Sequence, residues 1–228
     1  GLRQLYSSSF SLLVLRGLML VVANTCFFLA LVKMPVAEVV AIFFVAPVLI
    51  TALSGFLLKE SVGLARWSSV AIGMVGVLIM LRPGGEALRW EGFLAVGAAL
   101  AYCCMQLLTR HMRSTASTGT MVAYAQISLL VASSVMGILT GSRQFSDVSH
   151  PSLQFLFRSW TVPAHFDLGL WVLMGSLSAA GTFLVTRGYR LASAPVIAPF
   201  EYVAMPCAVV WGLMLYSELP DRVAVIGI

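Results

Sequence analysis

The chain has 228 residues, 60% hydrophobic and only 10% charged, with a mean hydropathy of +0.96. Soluble domains run near about 45–50% apolar and about 25% charged, so a soluble chain of this size has too little interior for so many apolar side chains. The net charge of +5 comes from 14 basic residues scattered along the chain rather than gathered in a patch, which excludes a nucleic-acid interface.

The composition is therefore that of an integral membrane protein. A helix crossing about 30 Å of hydrocarbon needs roughly 20 mainly apolar residues. Charge-poor windows predict seven spans, near 12–33, 37–58, 64–82, 90–110, 119–140, 167–187 and 193–216. The runs are too long for tilted strands and lack their alternation, so the expected class is an all-α polytopic bundle rather than a β-barrel.

The first span is too long for a signal peptide and lacks a small-residue cleavage site before a polar chain. Residue 1 is Gly, and the chain stops at Ile228 just as another apolar segment begins, so an internal piece of a longer polytopic protein is expected. Asn24, the one Asn in the chain, falls in the middle of this first span. The second span carries Pro47 near its middle and closes at Glu60. Tyr102 and Gln106 lie four apart on one face of the fourth span, and Tyr124 and Gln126 follow in the fifth. Such groups either line a cavity or make interhelical hydrogen bonds worth about 0.6 kcal/mol each.

The one extended connection is 141–167, with an apolar stretch, Leu153 to Trp160, suited to the membrane interface. Trp67, Trp90 and Trp160 fall near span ends, where aromatic belts form. Counting basic residues by side puts Arg3, Arg16, Lys59, Arg66, Arg110, Arg113, Arg187 and Arg190 with the N-terminal end of the first span. The opposite side receives Lys33, Arg82, Arg89 and Arg222, beside Arg143 and Arg158 in the long loop. Eight against four makes the N-terminal end of the first span cytoplasmic and the 141–167 loop extracytoplasmic.

Cys26, Cys103, Cys104 and Cys207 all fall in apolar spans, without C-x-x-C or a nearby His, and read as buried hydrophobes. His111, His150 and His165 lie at a span end or in the loop, so no metal site is expected. With no G-x-S-x-G, Walker A or H-E-x-x-H motif, neither catalysis nor a cofactor is expected.

A shift of 158 residues aligns 10–60 with 168–218 without a gap. Leu12, Val14, Leu15, Gly17, Val45, Ala46, Leu57 and Glu60 then meet identical residues, Asn24 meets Thr182, and Pro47 meets position 205. Each copy is a span, a short linker with Pro and Ala, a second span interrupted by Pro, and a closing Glu (Glu60 or Glu218) that suits an interfacial turn. Five spans start within one repeat length, and five is odd, so the second copy must cross in the opposite sense. This is the inverted-topology repeat of secondary transporters, which bind substrate near the midplane between halves. The halves are expected at 1–83, incomplete, and 84–228, its last helix truncated.

Glu201 is the strongest candidate for a functional group. It sits in mid-span in Ala198-Pro-Phe-Glu-Tyr202, where a carboxylate costs about 2.5–3.5 kcal/mol on insertion scales and must face protein or water. At 100° per residue it shares a face with Ala194, Ala198, Ala204, Met205, Ala208 and Gly212, opposite Val196, Phe200, Val203, Cys207, Val210 and Met214. Withdrawal from water favours the protonated form, making Glu201 a candidate proton carrier. The alternatives are an ionised partner for a substrate amine, or a protonated group bonding a neighbouring helix. Pro199 and Pro206 flank it and free the carbonyls of Pro195 and Tyr202. Corresponding interruptions in two halves point to a transporter site, though packing kinks are the simpler account.

These landmarks resemble the drug/metabolite transporter superfamily, in particular its EamA-type branch. The resemblance rests on Met34-Pro-Val-Ala-Glu38, Pro47 and Leu57-Leu-Lys-Glu60 in the first copy. In the second it rests on Ala194 to Tyr202 and Glu218-Leu-Pro-Asp221. It implies ten spans in two inverted five-helix halves that alternate access to a central cavity, of which this chain supplies spans three to nine and a stub of ten. Family members move amino acids, aromatic or cationic drugs, nucleotide-type metabolites and S-adenosylmethionine.

The expected function is a secondary transporter for small organic metabolites in a bacterial inner membrane. Glu201 is its central polar group, with Asn24, Tyr102, Gln106, Thr182 and Tyr202 as further substrate-binding candidates. The implied partners are a small-molecule substrate, the lipid bilayer and a proton; a homodimer is left open. The competing reading is a non-transporting membrane scaffold or partner-binding protein.

Overall fold

The computed structural model describes residues 10–81, 90–140 and 164–216. Among these, all regular structure is helical. The elements are α1 (Phe10–Leu31), α2 (Val36–Phe43), α3 (Ala46–Leu57), α4 (Leu64–Leu81), α5 (Trp90–His111) and a 3₁₀ turn (Met112–Ser114). They continue with α6 (Thr118–Thr140), α7 (His165–Leu191), α8 (Ala194–Ile197), a 3₁₀ segment (Ala198–Val203) and α9 (Ala204–Tyr216). Six described stretches are long and apolar enough to span a membrane, and Leu64–Ile79 is a shorter apolar helix. The chain is a polytopic membrane protein.

Helix α5 is the hub, packing against α1, α2, α3, α7 and α8. Its sequence explains this: Ala95, Ala98, Ala99 and Cys103 are small and fully buried, so neighbouring backbones approach closely. Its N-terminus is tied down by a 2.9 Å ion pair between Lys33 and Glu91. Beyond its C-terminus, Ser117 caps α6 by accepting the Thr120 amide at 3.1 Å. Helix α1 crosses α6 at Gly17, where a Cβ would overlap the Ser128 side chain.

The second and seventh predicted spans are not continuous helices. A turn at Phe44 and Val45 separates α2 from α3, with Pro47 in the first turn of α3. Pro199 lies in the 3₁₀ segment and Pro206 in the first turn of α9. Each proline withholds an N–H and clashes with the carbonyl four residues before it, so the α pattern cannot run through. The half-helices α3 and α9 begin at Ala46 and Ala204, which are equivalent under the 158-residue shift.

Several expectations need correction. Arg16, taken as an interfacial charge, is 1% exposed inside the bundle. Helix α7 starts at His165, two residues inside the expected loop, and runs past Arg187 to Leu191. Its start is aided by the Ala164 amide donating to the Asp167 carboxylate at 3.1 Å. Cys103 is buried, but Cys104 and Cys207 are exposed on the exterior. Residues 141–163, with His150, the apolar stretch and Trp160, and residues 217–228, with Glu218, lie outside the described residues.

Candidate functional site

The 3₁₀ segment presents Glu201 to α5 and α7. Its Oε1 accepts the Tyr189 hydroxyl at 2.6 Å and the Tyr102 hydroxyl at 3.0 Å. Gln106 Nε2 in turn donates to the Tyr102 oxygen at 2.7 Å. Both phenols spend their protons on one oxygen, so the arrangement holds with Glu201 ionised or with a proton on Oε2. Gln106 is 1% exposed, and among the described residues its Oε1 has no hydrogen-bond partner.

The expected division of faces around Glu201 holds in part. Ala194, Ala198 and Met205 are buried, while Val196, Phe200, Val203, Cys207, Val210 and Met214 are exposed. Ala204 is exposed instead of buried, because the 3₁₀ segment turns faster per residue than an α-helix and shifts the phase.

Next to this network is a cavity of about 500 Å³ between α1, α2, α5, α6 and α7. Asn24, Tyr102 and Thr182 line it, together with Gln126 and Ser178. Asn24 Nδ2 donates to the Leu20 carbonyl at 3.0 Å, which leaves its Oδ1 to accept. Asn24 and Thr182 are equivalents in the repeat, as are Leu20 and Ser178, and all four line the cavity.

Tyr202 is placed elsewhere. Its ring stacks on Phe44 at 5.8 Å and its hydroxyl donates to the Phe44 carbonyl at 3.2 Å. Phe44 and Tyr202 are 158 residues apart, so they too are repeat equivalents, here touching one another. Gly73 makes room for the Tyr202 ring, which a Cβ there would overlap.

Tyr189 was missed because the charge-free window closes at Arg187, two residues before it; its place twelve residues ahead of Glu201 was the available signal. Ser178 lies four residues before Thr182, on the same helical face, and could have been found by that spacing. Arg16 donates to Thr109 at 2.7 Å, the Met121 carbonyl at 2.9 Å and Thr186 at 3.0 Å. Glu60 reaches from the end of α3 to α5 and α8, accepting from Arg110 Nε at 2.7 Å and from the Ala194 amide at 2.9 Å.

Comparison with known proteins points the same way. Residues 2–82 match the EamA-like transporter family. The chain is 23% identical, over 94% of its length, to an S-adenosylmethionine uptake transporter of Rickettsia prowazekii, and covers 66% of that protein. It is 26% identical over 96% of its length to a riboflavin transporter of Vibrio cholerae, covering 68% of it. It is also 24% identical over 95% of its length to the pseudopaline exporter CntI of Pseudomonas aeruginosa, covering 70%. The chain thus spans about two thirds of the length of these curated relatives. A solved crystal structure matches the whole chain, and 75% of its own, with a TM-score of 0.67 at 17% identity, a likeness of fold. Together with the broken spans and the repeat landmarks, these matches make the chain similar to EamA-like transporters, with the family match lying over residues 2–82.

Proposed function

We propose that this chain forms the core of a secondary transporter that carries a small organic metabolite across a bacterial inner membrane by alternating access. The carrying observation is Glu201, on a proline-broken span, bonded by Tyr102 and Tyr189 at the edge of a cavity that Tyr102 also lines. Asn24 and Thr182 would contact the solute, and Gln106 would hold Tyr102 in place. Tyr202, with Pro47, Pro199 and Pro206, would maintain the two breaks, so that the halves at 1–83 and 84–228 rock about them.

Glu201 itself does not line the cavity, and its Oε1 is already engaged by two phenols. This favours a proton-carrying role over direct pairing with a substrate amine. Protonation would weaken its hold on Tyr102 and so reach the cavity wall. A non-transporting scaffold has no use for a cavity whose lining residues are paired by the repeat.

S-adenosylmethionine and riboflavin are the first solutes to assay. Purified protein in proteoliposomes should take up one of them saturably, faster under an imposed proton gradient. Glu201→Gln should fold normally yet lose the gradient dependence. Uptake by Glu201→Gln that still follows the gradient would remove Glu201 from coupling. Absence of flux for every metabolite tested would end the transport reading.

A further inference from the structure

The cavity lining also restricts what can occupy it, an inference that rests on the transport reading above. None of the described residues that line it is Asp, Glu, Lys or Arg. Its polar groups are the uncharged amides of Asn24 and Gln126 and the hydroxyls of Ser178 and Thr182. A charged solute entering it would shed water without meeting an opposite charge, which is costly in a low-dielectric interior.

The rest of the wall is aromatic. Phe28, Phe27, Phe43 and Tyr102 form a continuous chain of rings, with successive centroids 5.9, 5.3 and 5.4 Å apart and planes tilted by 88°, 77° and 54°. In an edge-to-face pair the ring that offers its edge keeps both of its own faces free of that partner. The Tyr102 hydroxyl is directed out of the cavity, toward Glu201 and Gln106, neither of which lines it, so this residue presents its ring. The volume of about 500 Å³ lies within the range of about 300–1,000 Å³ typical of small-molecule sites.

We infer that the cavity takes a flat, uncharged heteroaromatic solute, stacked among the Phe27–Phe43–Tyr102 rings and read at its edge by the amide and hydroxyl groups of Asn24, Gln126, Ser178 and Thr182. Amino acids, phosphorylated compounds and aliphatic sugars lack one or both of these features.

The test uses the purified full chain in detergent or nanodiscs, with lumiflavin as the probe. Lumiflavin is a neutral tricycle whose fluorescence is quenched by electron transfer from a phenol ring in contact with it, here that of Tyr102. Flavin mononucleotide has the same ring with an added phosphate, and lysine and sucrose are non-aromatic controls. Lumiflavin should bind with quenched fluorescence. Flavin mononucleotide should bind at least about tenfold more weakly, and neither control should displace lumiflavin. Phe43→Leu should weaken lumiflavin binding, and Tyr102→Phe should remove the quenching. Thr182→Val, a change of nearly constant volume, should weaken it while leaving the unfolding temperature unchanged, so a folding defect in the first variant cannot decide the outcome. Binding of flavin mononucleotide as tight as that of lumiflavin, displacement by lysine or sucrose, or failure of lumiflavin to bind would overturn the assignment. The two readings fail separately. Flux of a charged, non-aromatic solute that lumiflavin does not inhibit sinks the solute class and keeps transport; lumiflavin binding without flux of any solute does the reverse.

Discussion

A guanidinium sealed from both lipid and water needs acceptors, and Arg16 finds three, on α5, α6 and α7. None is a carboxylate, so the charge is held by dipoles and the residue works as a clamp across four helices. Arg16→Leu should lower stability by about 2 kcal/mol, three interhelical bonds at roughly 0.6 kcal/mol each. Arg113→Ala, at an exposed position, should stay within about 0.5 kcal/mol. Reversible unfolding in mixed micelles measures both, and equal effects would show that Arg16 clamps nothing.

The broken spans depend on local devices at two places. Tyr202 holds the break between α2 and α3 by binding the Phe44 carbonyl, and it can do so because Gly73 on α4 has no side chain. Gly73→Ala should displace the ring and cost about 1–3 kcal/mol by overpacking, read as a lower unfolding temperature. An unchanged temperature would mean that the ring has other room. The second device is Glu60. Lys59, at φ 53, ends α3 in the left-handed conformation and turns the chain so that Glu60 meets Arg110 and the first amide of α8. The Glu60 and Arg110 side chains are only 15% and 10% exposed. A double-mutant cycle of Glu60→Gln and Arg110→Gln should therefore give a coupling of about 1–2 kcal/mol in unfolding, and additivity would reduce the pair to a surface contact.

At the scale of the whole molecule, the exterior of the described helices is strongly apolar, as a surface facing acyl chains is. Phe166, Trp171, Val172, Met174, Leu177 and Leu184 are each exposed along α7. Trp67 and Trp90 are exposed at the starts of α4 and α5, where interfacial rings belong. With Arg16 set aside as buried, the balance of basic residues still stands at seven to four, which predicts the N-terminal end of α1 in the cytoplasm. After replacement of the four native cysteines, Arg113→Cys should react with an impermeant thiol reagent only from the cytoplasmic face and Lys33→Cys only from the opposite face. The reverse pattern would invert the topology.

What the sequence by itself determined was the bilayer as solvent, the positions of the spans, the two proline-broken segments and the inward direction of Glu201. These follow from properties that act locally: hydropathy over a turn or two of helix, a missing N–H, and the cost of a carboxyl among acyl chains. Tertiary structure alone decided which polar side chains meet. Asn24, Tyr102 and Thr182 came to one cavity, whereas Gln106 lay behind Tyr102 and Tyr202 moved to the contact with Phe44. Tyr189 joined Glu201, and Arg16 left the interface for the interior. The reason is geometric: how far each helix is rotated about its own axis depends on the other helices packed against it, many of them distant in the chain, and a 3₁₀ segment resets that rotation where the chain carries Glu201.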